Sequence, residues 1–315
     1  MTEHEKSLRQ SSRSPRGAIE GEWPGCHVAH GAPWILGIED LKSLGDGNLP
    51  DISIDPRRKV LSVINTHDET RCFYISVFSP CLGRLNRAWK RFACGHARRA
   101  DGSTLEVTTF VLVVPARNIM DVCKLSTKDV QGVDIHSDIV VLKPAPPLTE
   151  CSFYAFPLEG GPFLCSQGRG GKLTHFAHPS TFYALDFDCS VGTPVLAMED
   201  GIVTERLDQE TVSGPDVENF FKWNQLTIHQ KDGTWAEYVH LQAALVEQGS
   251  QVLRGQCIAR SGDVGFCPSP HLHVEVHRSS AADADSVPFA FQTEAYQFEC
   301  EEGKWYTAQG EVEEK

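Results

Sequence analysis

The sequence predicts an all-β protein built from two successive β-rich parts. Short runs rich in β-branched and aromatic residues recur along the 315 residues, and Pro, Gly or Asn residues close them. The second part shows hardly any helical periodicity. Its dipeptides Asp200-Gly201 and Asp232-Gly233 are typical of hairpin turns, and at the first of them we expect a type I′ turn with positive φ at both central positions. We therefore expect antiparallel sheets rather than helices packed on a parallel sheet.

Residues 21–145 are predicted to form a small β-sandwich-like domain of unknown function. Candidate strands cover residues 60–64, 72–78, 105–114 and 139–142, and residues 118–123 are interpreted as a short helical turn. Residues 1–20 are polar and expected to be disordered, and the Pro/Gly-rich residues 23–34 are expected to form a loop. Five basic residues are interpreted as the solvated face of a helix: Arg87, Lys90, Arg91, Arg98 and Arg99.

A linker at residues 143–149, with the sequence Lys-Pro-Ala-Pro-Pro-Leu-Thr, separates the two parts. We expect the second domain to span residues 150–285 and a C-terminal extension to cover residues 286–315. Its candidate strands lie at residues 225–229 and 235–240, at two short runs around Arg254-Gly255, and at residues 271–276.

Composition and charge exclude some classes of partner. The net charge of −13, from 42 acidic and 29 basic residues, argues against nucleic acid as the main partner. No apolar run is long enough to span a bilayer, and residues 1–17 lack the apolar core of a secretory signal. A cytoplasmic location is the default expectation. The 11 cysteines include no Cys-x-x-Cys pair, so we expect mostly free thiols rather than a zinc ribbon.

The run Pro270-His271-Leu272-His273 is the strongest chemical signal in the sequence. It opens a candidate strand, where alternate side chains project to one face, so His271 and His273 point to the same side. Imidazole is the commonest metal ligand, and two adjacent imidazoles are costly to bury without partners. A surface strand with two solvated histidines is the alternative, and the motifs upstream decide against it.

Several separate blocks of the second part resemble the lysostaphin-type, or LytM-like, family of zinc metalloendopeptidases, over about residues 160–280. The blocks are Asp186, Gly-Thr-Pro-Val at 192–195, Asp-Gly at 200–201, Tyr-Val-His-Leu at 238–241, Gly-Gln-Cys-Ile-Ala at 255–259 and Pro-His-Leu-His-Val-Glu-Val at 270–276. The resemblance implies a barrel-sandwich-hybrid domain with a duplicated hybrid motif. It also implies hydrolysis of peptide bonds, with peptidoglycan or glycine-rich peptides as the substrate class.

The resemblance implies a role for each residue of the site. One Zn²⁺ would be held by a histidine upstream of Asp186, by Asp186 and by His273, which leaves a fourth position open for water. His240 and His271 fall on the family's two catalytic histidines that do not bind metal. Such residues can accept a proton from water or stabilise an oxyanion.

The first zinc ligand departs from the family's commonest motif. His-x-Gly-x-Asp would place the ligand at Phe182, which cannot bind zinc. Some branches have this histidine further upstream, and His175 in a Thr-His segment fits that variant. His178 is the alternative. We prefer His175 because its context is strand-like.

Two other functions compete with a peptidase. A non-enzymatic zinc-binding regulatory module could use the same fold, but the presence of both His240 and His271 favours an active site. A lipoyl-type carrier would need a lysine at a hairpin tip, and the Arg254-Gly255 tip has none. Phosphotransfer relatives of similar fold lack the Asp and His-x-His set.

Overall fold

The computed structural model describes residues 52–55, 57, 59–78, 92–125, 133–139, 151–171, 173–281 and 284–313. Over these residues the secondary structure is β-strand, apart from one single-turn 3-10 helix at Val217–Asn219, which confirms the all-β prediction. The predictions for residues 1–20, 23–34 and 143–149, and for Arg87, Lys90 and Arg91, lie outside the described residues. No helix in the described part of the chain has the length and apolar character needed to cross a bilayer.

The N-terminal part consists of two sheets that share one core. The first sheet has the order β1 (Ile52–Asp55), β2 (Val60–Asn65), β6 (Asn118–Lys124), and the second has the order β4 (Phe92–Arg98), β5 (Thr104–Val114), β3 (Arg71–Phe78), β7 (Val133–Ile139). Alternate side chains of β2, β3 and β5 meet between the sheets, as the period of two requires: Leu61, Val63, Phe73, Ile75, Val77, Phe110, Leu112 and Val114. This arrangement agrees with the predicted sandwich-like fold.

The other face of β3 and β5 is also buried, because it packs on the C-terminal part. Cys72, Tyr74 and Val111 join Phe176 and Val217 in a second apolar cluster. Strands buried on both faces lose the hydrophobic alternation, which explains why residues 72–78 and 105–114 read as continuous apolar runs.

The C-terminal part contains fifteen strands among the described residues. They are β8 (Ser152–Tyr154), β9 (Phe163–Gln167), β10 (Leu185–Asp188), β11 (Pro194–Leu196), β12 (Gly201–Leu207), β13 (Gln225–Gln230), β14 (Trp235–Val239), β15 (Leu241–Ala244), β16 (Gln251–Val252), β17 (Cys257–Ser261), β18 (His271–His277), β19 (Phe289–Gln292), β20 (Gln297–Phe298), β21 (Trp305–Thr307) and β22 (Gly310–Val312).

These strands form one large sheet and two small ones. The large sheet has nine strands in the order β16-β12-β13-β14-β18-β10-β9-β21-β22, and the small sheets have the orders β11-β17-β15 and β20-β19-β8. All described pairings are antiparallel except β8 with β19. The sheets are open over the described residues, so the hybrid fold does not close into a barrel. One core, with Leu158, Phe187, Tyr238, Ile258 and Phe291 fully or almost fully buried, lies between them.

Three sequence interpretations differ from the structure. Residues 118–124 form β6 rather than a helical turn, because Ile119 and Val122 pack in the N-terminal core region as part of a strand paired with β2. Residues 92–98 form β4, so Arg98 lies on a strand rather than a helix. Of the strand predicted at residues 139–142, only Ile139 is among the described residues, and it is the last residue of β7.

The Asp200-Gly201 turn also differs from the prediction. β11 and β12 lie in different sheets and do not pair, and Gly201 lacks the positive φ of a type I′ turn. A Cβ at Gly201 would lie 2.5 Å from the carbonyl oxygen of His229. Glycine is therefore required here for close approach of β12 to β13.

Residues 286–313 are an integral part of the fold. β21 pairs with β9 and extends the nine-stranded sheet, while β19 pairs with β8. Phe289, Phe291 and Tyr306 are almost fully buried in the core that supports the site.

Candidate metal centre

The strand β18 presents a row of polar side chains on one face of the large sheet. Leu272, Val274 and Val276 are fully buried in the core on the opposite face. The polar face therefore carries the intervening residues His271, His273, Glu275 and His277. Neighbouring strands extend this face, since Asp186 of β10 pairs with His273, and Gln167 of β9 pairs with Asp186.

Three side chains converge on one point of this face. His175 Nε2 lies 3.2 Å from Asp186 Oδ1 and 3.3 Å from His273 Nδ1, and the last two atoms are 2.8 Å apart. Two ligands of a tetrahedral zinc ion with bonds of about 2.0–2.1 Å lie about 3.3–3.4 Å apart. The three atoms match one face of such a tetrahedron closely, so the donor set fits a metal ion.

Contacts around the three side chains orient their donor atoms. The Nδ1 of His175 lies 3.0 Å from the carbonyl oxygen of Gly168, which can only accept, so Nδ1 carries a proton and Nε2 is the nitrogen that faces Asp186 and His273. Gln167 donates to Asp186 Oδ2 over 2.8 Å. Glu275 Oε2 lies 3.4 Å from His273 Nε2, on the far side of that ring. Such outer contacts are typical of metal-binding histidines and carboxylates.

The electrostatic surroundings keep Asp186 ionised. Burial alone would raise the pKa of its carboxyl group, but the charges of His175 and His271 and hydrogen bonds from His175 and His273 hold the pKa well below its usual value. A carboxylate that stays ionised over the ordinary pH range is available as a ligand.

Two further histidines lie beside this cluster. The rings of His240 and His271 are 4.6 Å apart, and His271 Nε2 lies 3.8 Å from Asp186 Oδ2. The Nδ1 of His240 donates to the carbonyl oxygen of Val264 over 2.6 Å, and that of His271 donates to the carbonyl oxygen of Ser269 over 2.7 Å. Both rings are therefore held at Nδ1, which leaves each Nε2 available for chemistry.

His240 lies at the end of β14 in an uncommon backbone conformation. Its φ of +64° is in the left-handed region, which costs energy for a residue with a side chain. Burial, together with the charges of His271 and His273, lowers the pKa of His240 well below its usual value, so the ring is neutral. A neutral, buried imidazole can accept a proton.

His271 has the opposite electrostatic environment. Burial disfavours its charged form, but the charges of Cys267 and Asp186 and hydrogen bonds to Cys267 and Ser269 outweigh this effect and raise the pKa of His271 to about 9. The two rings therefore differ in protonation although they lie side by side, which is the condition for an acid and a base in one site.

The structure brings together five of the six candidate residues. His175, Asp186 and His273 form the cluster, with His240 and His271 next to it. His178 lies outside the cluster, and its Nδ1 contacts the Ser180 hydroxyl at 2.7 Å. The sequence analysis did not identify Gln167, Gly168 or Cys267. Gln167 reaches Asp186 through the pairing of β9 with β10, whereas Gly168 and Cys267 contact His175 and His271, which are near them in the chain.

A cavity of about 160 Å³ opens beside the cluster, and aromatic residues line one wall of it. Phe220 and Phe266 stack with ring centroids 4.2 Å apart, and Tyr74 of the N-terminal part packs edge-on against Phe220 at 4.7 Å. The lining also includes polar residues, among them His240, His273 and Glu237. The cavity therefore combines an aromatic surface with groups suited to proton transfer.

Comparison with known proteins agrees with this geometry. Residues 180–285 match the model of Peptidase family M23, and this range includes Asp186, His240, His271 and His273 but not His175. Glycyl-glycine endopeptidase ALE-1 from Staphylococcus capitis is 32% identical over 111 residues, which are 34% of this chain and 28% of that protein. Peptidoglycan DD-endopeptidase ShyA from Vibrio cholerae is 35% identical over 91 residues, which are 29% of this chain and 19% of that protein.

A solved structure is similar over the same region. The catalytic domain of the antimicrobial peptidase lysostaphin from Staphylococcus simulans is 26% identical, with 40% of this chain and 86% of that chain covered and a TM-score of 0.29. This chain spans less than a third of the length of either curated relative above.

Proposed function

We propose that this chain, which carries a peptidase family M23 domain at residues 180–285, is a zinc-dependent endopeptidase. The observation that carries the proposal is the convergence of His175 Nε2, Asp186 Oδ1 and His273 Nδ1 beside the rings of His240 and His271. Two imidazoles and one carboxylate are a donor set typical of catalytic zinc sites, which keep a position open.

His175, Asp186 and His273 would hold the zinc ion. Bound there, zinc would supply Lewis acidity, which activates water and polarises a peptide carbonyl group at neutral pH. His240, whose pKa is lowered, accepts the proton from the attacking water. His271, whose pKa is raised, donates a hydrogen bond to the oxyanion that develops on the carbonyl oxygen. The bonds to Val264 and Ser269 hold both rings in place for these steps.

The proposed substrate is a peptide bond next to small residues, as in peptidoglycan cross-links. The names of the relatives, a glycyl-glycine endopeptidase and a peptidoglycan DD-endopeptidase, support this class of substrate.

The test is to incubate the zinc-loaded chain with purified peptidoglycan and with pentaglycine, and to follow release of new amino groups. We expect hydrolysis that a chelator stops and added zinc restores. The His271→Ala variant is the control for a contaminating peptidase and should be inactive. Tight zinc binding without hydrolysis of either substrate would instead support a non-enzymatic zinc-binding module on the same fold.

A further inference from the structure

A second cluster of potential ligands lies further along β18. One carboxylate oxygen each from Glu237 and Glu275 and one ring nitrogen of His277 lie within 4.8 Å of one another. His277 Nε2 is 3.4 Å from Glu275 Oε1, close to the spacing of about 3.3 Å between two ligands of a tetrahedral metal ion. The cluster shares no residue with the first one.

The strand register forces two carboxylates together in this cluster. Glu237 of β14 pairs directly with Glu275 of β18. Like charges directly opposite each other on antiparallel strands are destabilising, and burial increases the cost. Within the part of the chain that the structure describes, no lysine or arginine forms an ion pair with either residue. The basic groups nearest Glu275 are the imidazoles of His273 and His277, whose Nε2 atoms each lie 3.4 Å from one of its oxygens.

Two atoms of the cluster are buried without a hydrogen-bond partner. They are Glu275 Oε2, whose nearest basic contact is His273 Nε2 at 3.4 Å, and His277 Nε2, on residues that are 6% and 5% exposed. Such atoms are rare in folded proteins and call for an explanation. A cation bound between Glu275 and His277 would satisfy both side chains at once.

The other nitrogen of His277 fixes the orientation of the ring. Its Nδ1 lies 3.1 Å from the carbonyl oxygen of Ala284, which can only accept a hydrogen bond. Nδ1 therefore carries a proton, and Nε2 is the nitrogen that faces Glu275, where a bound cation would replace any proton on it. Fixing of one nitrogen by a backbone carbonyl is the usual arrangement for a metal-binding histidine.

We propose that Glu237, Glu275 and His277 form a second binding site for a divalent cation. Two carboxylate oxygens and one imidazole nitrogen suit zinc or a similar borderline ion. All three residues line the cavity that contains His240 and His273, so an ion can enter from solvent. The site stands whether or not the chain hydrolyses peptides, because no step of the proposed mechanism uses Glu237, Glu275 or His277, although Glu275 also contacts the ring of His273.

The test counts zinc ions per chain. Tag-free, metal-depleted full-length protein is equilibrated with buffered free zinc, and bound zinc is measured after gel filtration. We expect two per chain in the wild type and one in Glu237→Gln and His277→Asn. His229→Asn is the matched control: it removes a half-buried histidine of β13 that stacks on Trp235, and it should keep two. His175→Ala should also keep one, held by the second site.

Cobalt(II) provides a readout that separates the two sites. Titration of the wild type should give two successive sets of visible absorption bands, and His277→Asn should lack the set that fills second. One zinc per chain at saturating free zinc in the wild type would overturn the proposal. An undiminished count in a folded His277→Asn protein would also overturn it, and Glu237→Asp provides a second variant if Glu237→Gln fails to fold.

Discussion

The ring of His240 is held by the carbonyl oxygen of Val264, 2.6 Å from Nδ1, and this contact connects the candidate site to the N-terminal domain. Ser213 forms bridges both to Val264 and to Arg98 at the edge of β4. The amide nitrogen of Arg98 donates to the carbonyl oxygen of Ser213 over 2.8 Å. The segment that orients His240 is therefore paired with the N-terminal sheet.

We first predict that Gly214→Ala weakens the contact between the two parts. Gly214 has a φ of +95°, and a Cβ there would collide with the backbone of His96 and Ala97 on β4. We expect the free energy of unfolding to fall by about 1–3 kcal/mol or more, because the substitution combines an unfavourable backbone conformation with a steric collision. Urea unfolding measures the loss, and limited proteolysis should show faster cleavage.

Gly233→Ala is the matched control for this prediction. Gly233 also has a positive φ, of +86°, but a Cβ there would meet no atom within 4 Å. The Gly233→Ala variant should lose only about 1 kcal/mol of unfolding free energy, which is the cost of the backbone conformation alone. Equal losses in the two variants would show that the contact at β4 contributes nothing.

The second prediction concerns the identity of the metal ligands. His175→Ala and His273→Ala should abolish zinc binding at the first cluster, because each removes one of only three donors. His178→Ala should bind zinc as the wild type does, because its ring contacts Ser180 instead. Zinc affinity measured by competition with a chromophoric chelator tests all three. A wild-type zinc affinity in His175→Ala would show that another residue is the first zinc ligand.

The third prediction separates binding from catalysis. His240→Ala and His271→Ala should keep the zinc affinity of the wild type, since neither ring belongs to the ligand cluster. Hydrolysis should fall by about 10²–10⁴-fold in each, the usual effect of losing a group that moves a proton or stabilises charge. Substantial activity in His271→Ala would contradict the proposed mechanism. Zinc content and turnover are measured on the same samples.

A fourth prediction concerns Gln167, which connects two ligand-bearing segments. Its Nε2 donates to Asp186 over 2.8 Å, and its Oε1 accepts from the backbone nitrogen of Thr174, next to His175, over 2.8 Å. Gln167→Leu should weaken zinc binding by about 10–100-fold through misplacement of these ligands. Gln230→Leu, which removes a buried amide bonded to Thr234, is the control and should leave zinc affinity unchanged. Equal affinities in both variants would exclude the positioning role.

The fifth prediction is a pH dependence of the metal-free protein. Burial favours the neutral ring of His273, but its hydrogen bond to Asp186 and the negative charges of Asp186 and Glu275 outweigh burial and raise the pKa of His273 to about 10. The folded state therefore binds a proton that the unfolded state, with an ordinary pKa of about 6.5, releases. This stabilisation is complete below pH 6.5 and is lost as the pH rises towards 10.

Thermal unfolding of metal-free protein at a series of pH values measures this effect. The melting temperature should fall between pH 6.5 and 10, and the fall should be smaller in His273→Ala. In the zinc-loaded protein Nδ1 of His273 binds metal instead of a proton, so the fall should also be smaller there. A flat profile in the metal-free wild type would show that His273 is not protonated.

The sequence alone determined the class of fold and most of the candidate site. Side chains of a strand alternate between the two faces of the sheet, and this alternation is a local property of the sequence. The location of His271 and His273 on the same face of β18 could therefore be predicted from the sequence. The block that contains Asp186 and the one that ends in Tyr-Val-His-Leu were identified instead by their resemblance to a family, which short motifs within single strands and turns can carry.

Only the tertiary structure decided which distant segments meet. It placed His175 rather than His178 in the cluster, joined Gln167 to Asp186 through the pairing of β9 with β10, and brought Glu237 opposite Glu275. It also showed that residues 118–124 form a strand and that residues 286–313 complete the large sheet. The physical reason is that strand register and packing between domains depend on contacts between residues far apart in the chain, which local periodicity does not encode.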